Sequence, residues 1–333
     1  MNGYVTLARP FTLLPPLLGI LSGAVCAWGS AHNPDPARSL TASVILTVTL
    51  GCICAMFLNA ASNTLNQIYD LEIDRINKPN RPLVTGEISI RQAWGFTWLM
   101  YALGVVPTWL VVAYPYTSWG EKLFAPLSRH ECFFIYAIAL VATFVYSVPA
   151  FGRTKSHPIG ANLTIAIPRG LLLKVAGWTM VAYAFSSEPP YLASSEPWFI
   201  GAVFMFFLLG AASTKDFSDI KGDAAGGCRT LPIAYGVKRA AWLIAPFFVF
   251  PWLMLPLGVL LDDPFSPGHR ILTGNATFLT LFGLALALWG AYTVWLIVRN
   301  PDELTATENH PSWRHMYLMM MAAQVGFAVA YLI

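Results

Sequence analysis

The chain has 333 residues, of which 56% are hydrophobic and 11% charged, against about a quarter charged in an ordinary soluble domain. That is too little polar material to coat a water-soluble surface of this size, so lipid must be the main solvent of the exterior. The net charge of +3 gives no case for nucleic acid. The five cysteines, Cys26, Cys52, Cys54, Cys132 and Cys228, read as small buried hydrophobes rather than metal ligands or a disulfide framework.

A spanning helix needs about 20 predominantly apolar residues. Nine such runs follow one another, at 11–29, 41–69, 93–114, 132–149, 160–184, 197–214, 239–261, 274–298 and 313–333. They predict an all-α, polytopic fold, a single transmembrane domain over residues 1–333 with its helices around a central cavity. The first run follows Arg9-Pro10 and reads as a retained helix, not a secretory leader. The second is too long for a simple span, so its C-terminal end should project beyond the hydrocarbon or bend into a cavity. Loop charge sets orientation. Fourteen of the twenty Lys and Arg lie on the side of the N-terminus and four on the other, counting Arg169 and Lys174 as within the fifth run. The N-terminus and the loops beside it are therefore expected to be cytoplasmic. Runs two and six each lead into an acidic cluster and then a basic loop, a weak repeat of a four-helix unit over about 1–150 and 151–333.

The end of the second run reads Asn66-Gln67-Ile68-Tyr69-Asp70-Leu71-Glu72-Ile73-Asp74. Asn66, Asp70 and Asp74 are spaced i, i+4, i+8, one face of a helix. Their oxygens suit Mg²⁺, which takes one or two carboxylates and completes its shell with water and phosphate oxygens. Acids favour helix N-termini, and these are expected at a C-terminus, where they cost free energy unless a cation compensates. Arg81, between Asn80 and Pro82, is placed to counter a diphosphate.

After the sixth run comes Lys215-Asp216-Phe217-Ser218-Asp219-Ile220-Lys221-Gly222-Asp223, with Arg229 downstream. Asp216, Asp219 and Asp223 are spaced i, i+3, i+7, again one helical face. A single D-x-x-D is a weak signal, but two acidic triads at matched positions are a strong one. So many carboxylates around one cavity would repel without metal ions, and Mg²⁺ bridging a diphosphate satisfies that charge.

These residues resemble the UbiA-type superfamily of intramembrane prenyltransferases. Its members have nine membrane helices and two Asp-rich motifs, which here stand as Asn66-Gln67-x-x-Asp70-x-x-x-Asp74 and Asp216-x-x-Asp219-x-x-x-Asp223. Tyr146-Ser147-Val148-Pro149 with Arg153 and Lys155 is similar to the family's loop after helix 4. Gln67 resembles the chlorophyll-synthase and homogentisate-prenyltransferase branches, and the opening Arg9-Pro10-Phe11-Thr12-Leu13-Leu14-Pro15-Pro16 resembles the chlorophyll-synthase branch. Thr230-Leu231-Pro232-Ile233 and Tyr235-Gly236 resemble archaeal ether-lipid members. The acceptor stays open between these branches.

Ionisable residues at membrane depth are expensive and usually face a cavity, unless they snorkel to an interface. Asn162 lies seven residues before Arg169, on nearly the same helical face, so the two are expected at a pocket floor, touching acceptor or diphosphate. Lys174 is about 140° from Arg169 round an ideal helix. Tyr69 and Tyr146 neighbour the motifs, where their rings could stabilise an allylic cation. Asp262 and Asp263 read as a solvated acidic pair.

The expected activity is Mg²⁺-dependent transfer of a polyprenyl group from its diphosphate, with geranylgeranyl one such group, to a hydrophobic acceptor. Asn66, Asp70, Asp74, Asp216, Asp219 and Asp223 are the metal ligands. Arg81, Lys155, Lys215 and Arg229 grip the diphosphate and neutralise the leaving group. The favoured acceptor is an aromatic or quinone precursor. An alcohol acceptor, as in ether-lipid synthesis or chlorophyll esterification, and terpene cyclisation are the alternatives. A secondary transporter is the remote one, since it would place acids at the bilayer midplane.

Overall fold

The computed structural model describes residues 3–184, 194–307 and 310–333, in which helices are joined by loops and one isolated bridge, Asp262 to Arg270, is the only β pairing among the described residues. The chain opens with α1 (Gly3–Ala8) and a tight turn, Pro10–Leu13, that leads into α2 (Leu14–Gly29). Pro15 and Pro16 sit in the first turn of α2, where a missing N–H costs nothing. Thr41 caps the 28-residue α3 (Ala42–Tyr69) by accepting from the Val44 amide. Then come α4 (Leu71–Asn77), α5 (Pro82–Thr85) and α6 (Ile90–Val105), the last started by a reciprocal Ser89–Gln92 capping box. The first half closes with α7 (Trp119–Leu123) and α8 (Glu131–Ser147).

The second half begins with α9 (Pro158–Ala166), a wide π turn over Ile167–Leu172, and α10 (Leu173–Thr179). It continues through α11 (Glu196–Ala211), α12 (Ile220–Ala225), α13 (Leu231–Tyr235) and α14 (Val237–Ile244). Last come α15 (Phe250–Leu260), α16 (Ala276–Val298), α17 (Pro301–Ala306) and α18 (Pro311–Ala330).

Helices underlie all nine apolar runs, but six are long and apolar enough to cross a membrane: Pro10–Gly29, Ala42–Tyr69, Pro158–Thr179, Glu196–Thr214, Val237–Leu260 and Ala276–Val298. The other three runs fall on α6 and α8, which are shorter at 16 and 17 residues, and on α18, which carries Arg314, His315 and Gln324. The protein is an integral, multi-pass membrane protein.

Packing follows membrane rules. Lipid supplies no hydrophobic drive between helices, so small residues that let backbones approach are favoured. A Cβ on Gly23 of α2 would lie 2.7 Å from the Lys174 carbonyl oxygen of α10, and one on Gly104 of α6 would lie 2.7 Å from the Leu58 nitrogen of α3. The first and last long helices, α2 and α18, pack together and close the bundle. Leu46, Trp98, Val106 and Leu288 point outward, as lipid-facing side chains do. All five cysteines are free and buried.

Three amides one turn apart on α3 hold the N-terminal segment. Asn59 Nδ2 donates to the Thr12 carbonyl at 2.9 Å, Asn63 Nδ2 to the Ala8 carbonyl at 2.9 Å, and Gln67 Nε2 to the Leu7 carbonyl at 2.8 Å. Gln67 thus faces away from the acids. Lys174 does not snorkel: its ammonium is buried, donates to Ser22 Oγ and Gln324 Oε1, and lies 4.3 Å from the Phe204 ring centroid. Of the acidic pair expected to be solvated, Asp262 is exposed, but Asp263 is buried and accepts from Ser194 Oγ and the amides of Ser195 and Phe265. Those donors come from loops that only the tertiary fold brings together.

Candidate active site

Both acidic motifs open onto one cavity of about 460 Å³. Asp70, Asp74, Asp216, Asp219 and Asp223 line it together with Asn66. The first motif is nearly continuous helix, with a bend at Asp70 (φ −98°) that ends α3 and begins α4. Asp70 and Asp74 amides still bond one turn back, at 2.8 Å each, so the three side chains stay on one side. The second motif is not the single helical face expected from its spacing. Helix α11 stops at Ala211, a tight turn follows, Asp219 precedes α12, and Asp223 lies within it. Tertiary packing, not helical period, brings these three acids together.

The dipole argument also reverses. Asp70 precedes α4 and Asp74 lies in its first turn, as Asp219 and Asp223 do in α12. Carboxylates at these starts are favoured by the helix dipole. The case for a cation rests instead on crowding and on an orphaned ligand. Burial, with Asp223 and Asp219 adding to it, pushes the Asp216 carboxyl up to about 8. Burial pushes Asp223 up to about 6 and raises Asp74, in each case against a nearby cation. Asn66 Oδ1 is buried with no hydrogen-bond partner. An unused amide oxygen beside crowded carboxylates is a donor set that a hard cation fits. Among the described residues no three His, Cys, Asp or Glu side chains form a ready-made metal cage.

Basic side chains sit on the acids. Asp70 takes Arg153 Nη2 at 2.9 Å and the Lys155 ammonium, which also lies 3.7 Å from Asp223. Asp74 takes Arg81, and Asp219 takes Lys78 at 3.2 Å. Burial alone would lower the Lys155 ammonium, but Asp70, Tyr146 and Asp223 outweigh it and raise its pKa. Lys155 therefore bridges both motifs. Lys215 lines the cavity with its ammonium 4.6 Å from the Trp313 ring centroid. Beneath this charged mouth the walls turn aromatic and apolar, with Tyr146, Phe204, Leu208, Met316 and Met320.

Three expected site residues lie elsewhere. Asn162 is buried and paired with Ser213, its Nδ2 donating to Oγ at 2.8 Å, so it ties α9 to the end of α11. The π turn between it and Arg169 breaks the shared face, and only Arg169 lines the cavity. Tyr69 stacks edge-on to Trp94 at 6.0 Å in the helix packing. Arg229 is exposed, and its backbone amide bonds the Ser156 carbonyl.

Sequence reasoning gave no site role to Asn77, Lys78 or Arg153. Asn77 clamps the motifs to each other: its Nδ2 donates to the Asp219 carbonyl at 2.9 Å and its Oδ1 accepts from the Gly222 amide at 3.0 Å. Arg153 sits in left-handed backbone at φ 37°, just after Gly152 at φ 96°. The basic run at 75–81 was the available signal for Lys78. Nothing local marks Asn77.

Residues 13–317 match the model of the UbiA prenyltransferase family. The chain is 25% identical over 329 residues to digeranylgeranylglyceryl phosphate synthase of Methanobrevibacter smithii, covering 99% of this chain and 98% of that one. It is 32% identical over 238 residues to the chloroplastic 2-acylphloroglucinol 4-prenyltransferase of Humulus lupulus, covering 71% of this chain and 51% of the relative. Its fold matches a UbiA homolog from Archaeoglobus fulgidus bound to GPP and Mg²⁺, with a TM-score of 0.68 and 20% identity over 99% of this chain and 100% of that one. The bundle, the paired acidic motifs on one cavity and the match along nearly the whole chain lead to one assignment: this protein is a prenyltransferase and belongs to the UbiA prenyltransferase family.

Proposed function

We propose that the chain moves a polyprenyl group from its diphosphate to the hydroxyl of an alcohol acceptor. The observation that carries this is the convergence of both acidic motifs on a cavity with a basic mouth and an aromatic, apolar interior. The choice of an alcohol rests on full-length similarity to synthases of an archaeal ether lipid. In this reading Asn66, Asp70, Asp74, Asp216, Asp219 and Asp223 hold Mg²⁺, with geranylgeranyl diphosphate the reference donor. When bound, the metal neutralises charge on the leaving diphosphate. Lys155, Arg81 and Lys215 grip the diphosphate oxygens, and Arg153 orients Asp70. The C1–O bond breaks with its electron pair leaving on the diphosphate, and the acceptor oxygen bonds to C1. The hydroxyl proton passes to the departing diphosphate. Tyr146 presents its ring to the developing allylic cation, and Phe204, Met316 and Met320 keep water from it.

The same reading makes all nine apolar runs membrane spans, places the mouth and N-terminus on the cytoplasmic side, and treats the halves as four-helix repeats. A second reading, transfer to an aromatic ring, is favoured by the 32% identity to the Humulus enzyme. Product masses decide between them. The purified chain is incubated with Mg²⁺, geranylgeranyl diphosphate and either geranylgeranylglyceryl phosphate, homogentisate or 4-hydroxybenzoate. The alcohol reading expects the glyceryl compound to gain one prenyl unit. Prenylation of the aromatic acids alone, or a hydrocarbon product without acceptor, overturns it.

A further inference from the structure

A groove of about 940 Å³ lies between α9, α11, α13 and α14 and shares no lining residue with the catalytic cavity. Helix α11 separates the two, with Leu208 on the catalytic side and Leu209 on the groove. Ile159, Leu163, Trp242 and Leu243 line the groove and are exposed, so it opens on the lipid-facing exterior. Its polar lining is sparse. Asn162 is spent on Ser213, in a reciprocal pair at 2.8 and 3.0 Å. The charged lining groups are Lys238 and Arg239, with no carboxylate beside them. Neither makes an ion pair or a side-chain hydrogen bond among the described residues.

Helix α14 orders these groups by depth. Lys238 and Trp242, like Arg239 and Leu243, are spaced i, i+4, so each cation stands one turn above an exposed apolar side chain. Ala240, Ala241 and Ile244 are buried on the other face. The helix begins the apolar span Val237–Leu260, which puts the cations at its end and the apolar pair about 6 Å deeper. Tyr235 and Trp242 flank the cations and are the ring types that mark the headgroup level of a bilayer. The cations also sit at the unfavourable end of their helix. The first turn of α14 holds both and no acid, and positive charge there opposes the helix dipole. Helix α17 packs on α14 and carries Asp302 and Glu303, but neither lines the groove. Two unpaired cations at a positive helix end call for an anion from outside the chain.

The bilayer supplies a molecule of matching build, an anionic headgroup above apolar chains, and basic pockets between membrane helices suit such headgroups. A soluble anion would answer the cations and leave the apolar groove unfilled. An uncharged lipid would fill the groove and leave the cations unanswered.

We infer that this groove is a binding site for an anionic membrane lipid, with its phosphate held by Lys238 and Arg239 and an acyl chain lying between α9, α11 and α14. The inference stands apart from the transferase reading. The test is lipid binding by the full-length protein in detergent, read by native mass spectrometry with dioleoyl phosphatidylglycerol and dioleoyl phosphatidylcholine. The first phosphatidylglycerol is expected to bind at least about tenfold tighter than the first phosphatidylcholine, as two cations facing one phosphate imply. Lys238→Gln with Arg239→Gln should erase most of that preference. Arg91→Gln, which removes an exposed cation on α6, should leave it within about twofold. Leu163→Trp fills the groove, leaves both cations in place, and should weaken phosphatidylglycerol binding as well. Excess glycerol phosphate, which has the anion without the chains, should not compete. Equal binding of the two lipids by the native chain overturns the inference, as does an undiminished preference in the double variant or an equal loss in Arg91→Gln. Competition by glycerol phosphate makes the groove a soluble-anion site and overturns it too.

Discussion

Replacing Asn77 by alanine removes both hydrogen bonds that clamp the two acidic motifs together. They run from Nδ2 to the Asp219 carbonyl at 2.9 Å and to Oδ1 from the Gly222 amide at 3.0 Å. Each such bond contributes about 0.5–1.5 kcal/mol net, so docking of α12 on α4 should weaken by about 1–3 kcal/mol. If Mg²⁺ and the diphosphate need both motifs, affinity falls roughly five- to 150-fold. Gly222→Ala attacks the same contact from the other side, because its Cβ would stand 2.6 Å from Asn77 Oδ1. The double variant removes the obstructing side chain and gives the new methyl room. Its loss should therefore be clearly smaller than the sum of the single losses, a coupling that contacting residues show and distant ones do not. The assay is Mg²⁺-dependent binding of geranylgeranyl diphosphate across the four proteins. Strict additivity, or native affinity in Asn77→Ala, would refute the clamp.

Other expectations follow from the same geometry. Arg153→Gln takes one of two cations from Asp70, and kcat/KM for the diphosphate should fall about tenfold, in line with a charge-assisted hydrogen bond. Arg229→Ala and Tyr69→Phe should each change diphosphate affinity less than about twofold in the same kinetics, since neither side chain lines the cavity. Gly104→Ala forces α6 away from the Leu58 backbone and should cost about 1–3 kcal/mol, read as a lower melting temperature in detergent.

Periodicity and hydropathy carried most of the architecture. Apolar runs located the helices because burial in lipid requires nearly continuous apolar sequence. The weaker signals of α6, α8 and α18 come from shorter helices and from polar groups on α18. The first acidic motif was legible because α3 and α4 are almost one helix across Asp70. The second was found by composition although its assumed helical face does not exist, since Asp216 lies in a turn before α12. Helical spacing failed at Asn162 and Arg169, where one wide turn intervenes. Asn77 was invisible because its partners lie 142 and 145 residues away along the chain. The branch-like stretches conflict and leave the acceptor open, and where an aromatic acceptor was favoured, full-length similarity to ether-lipid synthases favours an alcohol.

The central claim is that the two acidic motifs act together on a prenyl diphosphate through Mg²⁺. Diphosphate release measures it most directly, using purified protein with geranylgeranyl diphosphate and a matched acceptor. Release should require Mg²⁺, stop with EDTA, and fall at least about a hundredfold in both Asp70→Asn and Asp219→Asn, with the variants still folded. Metal-independent release, or near-native release in either variant, would contradict the account.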